Sequence, residues 1–95
     1  MSDSPSETKQ LRLHGRVQGV YFRESMCRKA AELGITGWVR NRRDGTLEAL
    51  VQGAPEAVAG ILAWARTGPP AVQVTRMEIS EGSGHYSEFM RMESV

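Results

Sequence analysis

Lys9-Gln10-Leu11-Arg12-Leu13-His14-Gly15-Arg16-Val17-Gln18-Gly19-Val20-Tyr21-Phe22-Arg23 is the stretch on which the fold turns. Leu11 and Leu13 alternate with polar residues, the period-two pattern of a half-buried strand over residues 9–14. Two glycines between Gly15 and Gly19 break that pattern and make a loop. The period then changes. Phe22, Met26, Ala30 and Leu33 fall on one face of a helix running from about residue 21 to 33. Gly34 follows, where a glycine commonly ends a helix in a left-handed conformation.

The remaining elements follow outward from this unit. Ile35 to Arg40 is rich in strand formers, Asp44-Gly45 is a strong turn signal, and Thr46 to Val51 resumes an extended pattern. Residues 35–52 therefore read as a hairpin. Pro55 suits a first helical turn, where its missing N–H costs little. Val58, Ile61, Leu62 and Ala65 make the stripe of a second helix, ended by Gly68-Pro69-Pro70. Val72 to Ile79 gives a further strand, Gly82-Ser83-Gly84 a flexible turn, and Phe89 to Met92 a short last strand. Strand, helix, strand, strand, helix, strand is the split βαβ order. The expected fold is α+β and ferredoxin-like, a βαββαβ sandwich with an antiparallel sheet and two helices on one face. Val17-Gln18-Gly19 and Val51-Gln52-Gly53 repeat a short string before each helix. The same offset carries Arg23 onto Ala57, so only the first half holds a charged anchor.

Composition limits the function. The chain has 95 residues, enough for one domain over 9–95 behind a polar tail, 1–8, expected to be loose. No apolar run approaches the ~18 residues of a membrane span. The polar start lacks the apolar stretch of a secretory signal, which makes the cytoplasm the expected compartment. A single cysteine, Cys27, allows no internal disulfide and reads as an inert thiol among apolar neighbours. The only histidines, His14 and His85, lack metal-ligand spacing with it. His14 alternates with Leu13 and is expected on the open face of the sheet, as is Trp38. A net charge of +1 is far below that of a dedicated nucleic-acid binder. Most of the basic residues nevertheless lie in the first half, where an anionic ligand would be drawn.

The loop from Gly15 to Arg23 carries the chemistry. Its glycines allow backbone N–H groups to turn inward, and the helix start adds its positive dipole end, so the segment can form an anion nest. Arg23 falls in the first helical turn, where a cation opposes the helix dipole at a cost of ~0.3–1 kcal/mol. A bidentate bond to a phosphate would offset that cost. Asn41, at the end of the second strand, has two readings. Its amide can hold a water and touch a phosphoryl oxygen, or it can simply form the turn before Arg42-Arg43-Asp44-Gly45. Arg42 and Arg43 read as a solvated turn.

Leu13-His14-Gly15-Arg16-Val17-Gln18-Gly19-Val20-Tyr21-Phe22-Arg23 resembles the first signature of the acylphosphatase family. Gly37-Trp38-Val39-Arg40-Asn41-Arg42-Arg43-Asp44-Gly45-Thr46-Leu47, closed by Gly53, resembles the second. Gly68-Pro69-Pro70-Ala71 and Phe89-Met90-Arg91 are also similar to the family, and the likeness spans residues 9–92. Leu47 stands where the family often has Val, and Met90 where it often has Ile. The resemblance implies hydrolysis of acyl phosphates, with Arg23 as phosphate anchor and Asn41 as water-orienting residue. Gly15, Arg16, Val17, Gln18, Gly19, Val20, Tyr21 and Phe22 would form the substrate-binding loop. No Asp, Glu, His or Cys cluster has ligand spacing, so no metal or cofactor is expected. Nothing demands a dimer, and a monomer acting on a small molecule is expected, with phosphate or sulfate competing for the nest and Arg23. Two rival functions remain. An RNA-binding domain of this fold stacks bases on aromatics of its first and third strands, and Lys9 to His14 and Thr46 to Gln52 contain none. A non-catalytic anion-binding module would retain the loop without the turnover.

Overall fold

The computed structural model describes residues 6–95, and the first five residues of the expected tail lie outside this range. Strand β1 is Glu7–Arg16, helix α1 Phe22–Leu33, β2 Thr36–Asn41, β3 Leu47–Gly53, helix α2 Pro55–Thr67, β4 Gln73–Glu81 and β5 Phe89–Arg91. The first strand starts earlier than its apolar alternation suggests. Glu7 and Thr8 pair with Gly53 and Gln52 in an antiparallel ladder, so backbone pairing orders two residues with no apolar side chain to bury.

The sheet order is β4-β1-β3-β2-β5. β1 and β2 both run antiparallel to β3, which lies between them, so each helix crosses over to a non-adjacent strand. The expected antiparallel sheet needs one correction. β5 pairs in parallel with β2, through Gly37–Phe89, Trp38–Met90 and Val39–Arg91, and makes the sheet mixed. Three residues leave too short a pattern to betray strand direction.

Both helices pack on one face. Leu11 and Leu13 of β1, Val39 of β2 and Leu47, Ala49 and Val51 of β3 point toward them and are fully buried. Phe22, Met26 and Ala30 answer from α1, and Val58, Ile61 and Ala65 from α2. The edge of Trp64 meets the ring of Phe22 at 5.6 Å between centroids, an attractive T-shaped contact joining the helices. Gly34 closes α1 in the left-handed region, as its position predicts.

The opposite face is polar. Its centre is Glu48, only 4% exposed, whose carboxylate takes hydrogen bonds from Arg40 Nε at 2.8 Å, Arg42 at 2.9 Å and Gln10 at 2.7 Å. Arg12 lies 3.6 Å from the same group. His14 reaches Glu78 at 2.8 Å, and Arg40 stacks 4.8 Å above the ring of Trp38. Arg42, expected in a solvated turn, is thus recruited into the sheet face, whereas Arg43 is exposed.

Glu48 makes this face sensitive to acid. Burial pushes its carboxyl up, but the hydrogen bonds from Arg40 and Arg42 outweigh burial and hold it below the ordinary glutamate range. A carboxyl depressed in the folded state contributes stability above its unfolded pKa and loses it as pH falls through the folded value. Denaturant melts between pH 7 and pH 3 should show stability declining below about pH 4.5. Glu48→Gln should cost about 1–3 kcal/mol at pH 7 and flatten that decline. An unchanged pH profile in Glu48→Gln would show that other carboxylates set it.

Candidate active site

The loop between β1 and α1 takes its course from three residues of positive φ. Gly15 has φ 117°, Gly19 71° and Tyr21 61°. At Gly15 the pairing of β1 with β4 shifts register, and a Cβ there would sit 2.2 Å from the carbonyl oxygen of Gln73. Gly15 therefore serves a close strand approach that turns the chain into the loop. Tyr21 is the one non-glycine residue with positive φ among those described. An L residue in that conformation costs roughly 1–2 kcal/mol. It immediately precedes α1 and offers no side-chain cap.

The consequence is a run of open donors. Among the described residues, no backbone N–H from Gln18 to Glu24 reaches a backbone carbonyl or a side-chain acceptor. Ser25 is the first to do so, bonding Tyr21 at 3.0 Å. These N–H groups lie at the positive end of α1, an arrangement suited to an anion.

A cleft of about 330 Å³ opens over this run, walled by Val17, Gln18, Gly19, Tyr21, Phe22, Arg23, Glu24, Asn41 and Arg91. Arg23 and Asn41, distant in sequence, thus meet in one cavity. Arg23 has no carboxylate within 4 Å among the described residues. Asn41 is 9% exposed, and its buried Oδ1 has no hydrogen-bond partner among the described residues. An unpaired buried carbonyl oxygen carries a desolvation cost of about 1–3 kcal/mol, which a bound water or ligand donor would remove.

The backbone of Asn41 is held firmly. Its carbonyl accepts from the N–H of Val95 at 3.0 Å, while Arg43 N–H donates to the Val95 carbonyl. The turn beyond it is closed by Arg42 N–H to Thr46 O at 2.9 Å and Gly45 N–H to Arg42 O at 3.0 Å. Asp44 accepts from the backbone and hydroxyl of Thr46, and these bonds, hydroxyl first, hold its carboxyl below the usual range.

Of the loop residues expected to contact substrate, Gly15, Arg16 and Val20 do not wall the cleft. Gly15 and Arg16 end β1 against β4, and Val20 is buried with the core. Gln18 does reach the cleft, but its side-chain amide is turned to the β2–β3 connection, donating to the carbonyls of Arg42 and Thr46 at 2.8 Å each. Two further cleft residues were not foreseen. Arg91 comes from β5 and lies 3.5 Å from Glu24, so Glu24 faces Arg91 rather than Arg23. Only the parallel pairing of β5 brings Arg91 there, and no sequence spacing reveals it.

Cys27 is half-buried, and burial first, then the Glu24 charge, pushes its thiol up, away from reactivity. Among the described residues no three His, Cys, Asp or Glu side chains gather as metal ligands. No helix among them is long and apolar enough to cross a membrane.

Comparison with known proteins agrees with this geometry. The acylphosphatase family model matches residues 9–90. The acylphosphatase of Thiobacillus denitrificans is 58% identical over 83 residues, covering 87% of this chain and 93% of that protein. The solved acylphosphatase of Coxiella burnetii superposes with a TM-score of 0.87 at 34% identity, covering 92% of this chain and 93% of that one. The Bacillus subtilis acylphosphatase structure gives 0.85 at 30% identity, with 90% and 97% covered. Two helices on a five-stranded sheet, two signature segments meeting in one cleft and matches along nearly the whole chain lead to one conclusion: the chain belongs to the acylphosphatase family of hydrolytic enzymes.

Proposed function

We propose that the chain cleaves acyl phosphates to a carboxylate and inorganic phosphate by in-line attack of a water on phosphorus. Arg23 and the Gly15–Arg23 loop hold the phosphate, and Asn41 orients the water. One observation carries this reading: Arg23, without a carboxylate partner among the described residues, and the orphaned Oδ1 of Asn41 share a cleft lined by unbonded N–H groups.

The division of labour follows from the donors. The N–H groups from Gln18 to Glu24 and the Arg23 fork present only positive ends, matching an anion with several equivalent oxygens. The Asn41 amide offers an acceptor to a water proton and donors to a phosphoryl oxygen. It can therefore hold the water against the phosphorus it attacks.

The chemistry asks little more. The leaving group is a carboxylate, the anion of an acid with pKa near ~4, and departs without a protonating acid. A loose transition state needs only a weakly activated nucleophile, so positioning and charge stabilisation supply most of the catalysis. The water's proton passes to a phosphate oxygen in this scheme, since the cleft offers no neutral base. Glu24, its one carboxylate, faces Arg91. In this scheme no step is routed through a metal ion. A monomer acting in the cytoplasm completes the reading.

Steady-state kinetics on benzoyl phosphate separates the two roles. Arg23→Gln should lower turnover by about 10³–10⁵ with its circular dichroism unchanged. Asn41→Ala should lower kcat by about 10²–10³, yet inorganic phosphate should still inhibit it as it does the wild type. Near-normal turnover in folded Arg23→Gln would remove the anchor. Asn41→Ala that loses stability but keeps kcat per folded molecule would make Asn41 a turn-former only.

Phosphate and sulfate should inhibit competitively, because the loop recognises the tetrahedral anion more than the acyl group. A strong chelator should leave the rate unchanged. Loss of rate on chelation, restored by Mg²⁺, would contradict the scheme.

A further inference from the structure

Gln18 sits in the middle of the anion loop and walls the cleft, so a phosphate contact is its first reading. Hydrogen-bond counting argues otherwise. A glutamine amide nitrogen carries two N–H donors. Both are spent, one on the carbonyl of Arg42 and one on that of Thr46, at 2.8 Å each. The only polar atom left to the side chain is Oε1, an acceptor, which an anion repels.

The two carbonyls that Gln18 grips are the two ends of the β2–β3 turn. Arg42 directly follows Asn41, and Thr46 directly precedes β3. The same turn is closed by the bond from Arg42 N–H to Thr46 O. The side chain thus spans the gap between the segment carrying the phosphate donors and the segment carrying the water-orienting amide. No other side chain among the described residues makes a hydrogen bond between these two segments.

We infer that Gln18 is a positioning residue, whose amide fixes the separation of the anion loop from Asn41 and so sets the line between phosphorus and the attacking water. The inference rests on the proposed hydrolysis. It assigns Gln18 to the chemical step and leaves anion binding to the backbone and Arg23. In-line attack is steep in geometry: a displacement of about 1 Å away from the chemistry can cost on the order of 10²-fold in rate.

The repeated Val-Gln-Gly string supplies an internal control. Gln52 spends its amide in the same way, donating to Thr8 Oγ1 at 2.9 Å and to the Gly84 carbonyl at 2.7 Å, and it accepts from Tyr86 N–H at 3.0 Å. Gln52 pairs with Thr36, at the end of β2 opposite to Asn41. Asn41 lies five residues along the strand from Thr36, about 17 Å at ~3.3 Å per residue. The two glutamines are matched clamps, one beside the site and one remote from it.

The test compares Gln18→Met and Gln52→Met, each close in volume and without amide donors. Thermal melts, kcat and KM on benzoyl phosphate, and the inhibition constant of inorganic phosphate are measured for both and for the wild type. Gln18→Met should lose about 10–100-fold in kcat, with the phosphate inhibition constant within about threefold of wild type. Gln52→Met should lower the melting temperature and keep kcat per folded molecule within about twofold. Gln18→Asn, which keeps the amide on a shorter arm and can reach one carbonyl, should fall between wild type and Gln18→Met in kcat, and it serves if the Met variant does not fold. A weakened phosphate constant with kcat preserved would overturn the inference and return Gln18 to the binding site. A melting-temperature loss alone, as in Gln52→Met, would overturn it in favour of a purely structural clamp. Absence of turnover in the wild-type protein would instead remove the hydrolysis itself, and the positioning role with it.

Discussion

Seven consecutive backbone N–H groups, from Gln18 to Glu24, are kept off every carbonyl and side-chain acceptor among the described residues. Backbone donors rarely remain unpaired unless water or a ligand takes them. The rest of the molecule can be understood as what holds this segment open. Gly15 lets β4 approach closely enough to start the loop, and Tyr21 accepts a left-handed conformation to start the helix. The side chains of Val17, Val20 and Phe22 anchor the segment from beneath, in the core shared by both helices. Strain of this kind persists where packing over-determines the backbone, and it concentrates at functional sites.

Charge is arranged to the same end. The open sheet face spends Arg40, Arg42 and Arg12 on Glu48, and Arg12 also lies near Asp44. Arg91 is spent on Glu24. Arg23 has no such partner among the described residues, although it stands at the helix end where a cation is least welcome. The protein therefore has a net charge near zero but presents an unneutralised positive centre in its cleft. Such a centre attracts a small anion without making the whole surface adhesive to polyanions.

The fold was largely legible because its signals were local. The period of two at Leu11 and Leu13, the helical stripe of Phe22, Met26 and Ala30, and the Asp44-Gly45 turn each survive into the structure. Arg23 and Asn41, which the structure brings into one cleft, stood out in the sequence through long signature segments rather than through spacing. Four matters were not legible. Glu7 and Thr8 are ordered by backbone pairing and, at Thr8, by the Gln52 amide, to which apolar periodicity is blind. The parallel course of β5 is a tertiary fact, and it alone delivers Arg91 to the cleft. Gly15, Arg16 and Val20 belong to the signature yet serve the strand end and the core. The direction of the Gln18 amide depended on where the β2–β3 turn would lie, which no one-dimensional pattern contains.

In the proposed reaction the site delivers water to phosphorus, with the carboxylate as leaving group. Hydrolysis of benzoyl phosphate in oxygen-18 water, with both products read by mass spectrometry, distinguishes attack at phosphorus from attack at the acyl carbon. Label is expected in the inorganic phosphate and none in the benzoate. Label in the benzoate would place the attack at the acyl carbon and contradict the roles given to Arg23, Asn41 and the loop that joins them.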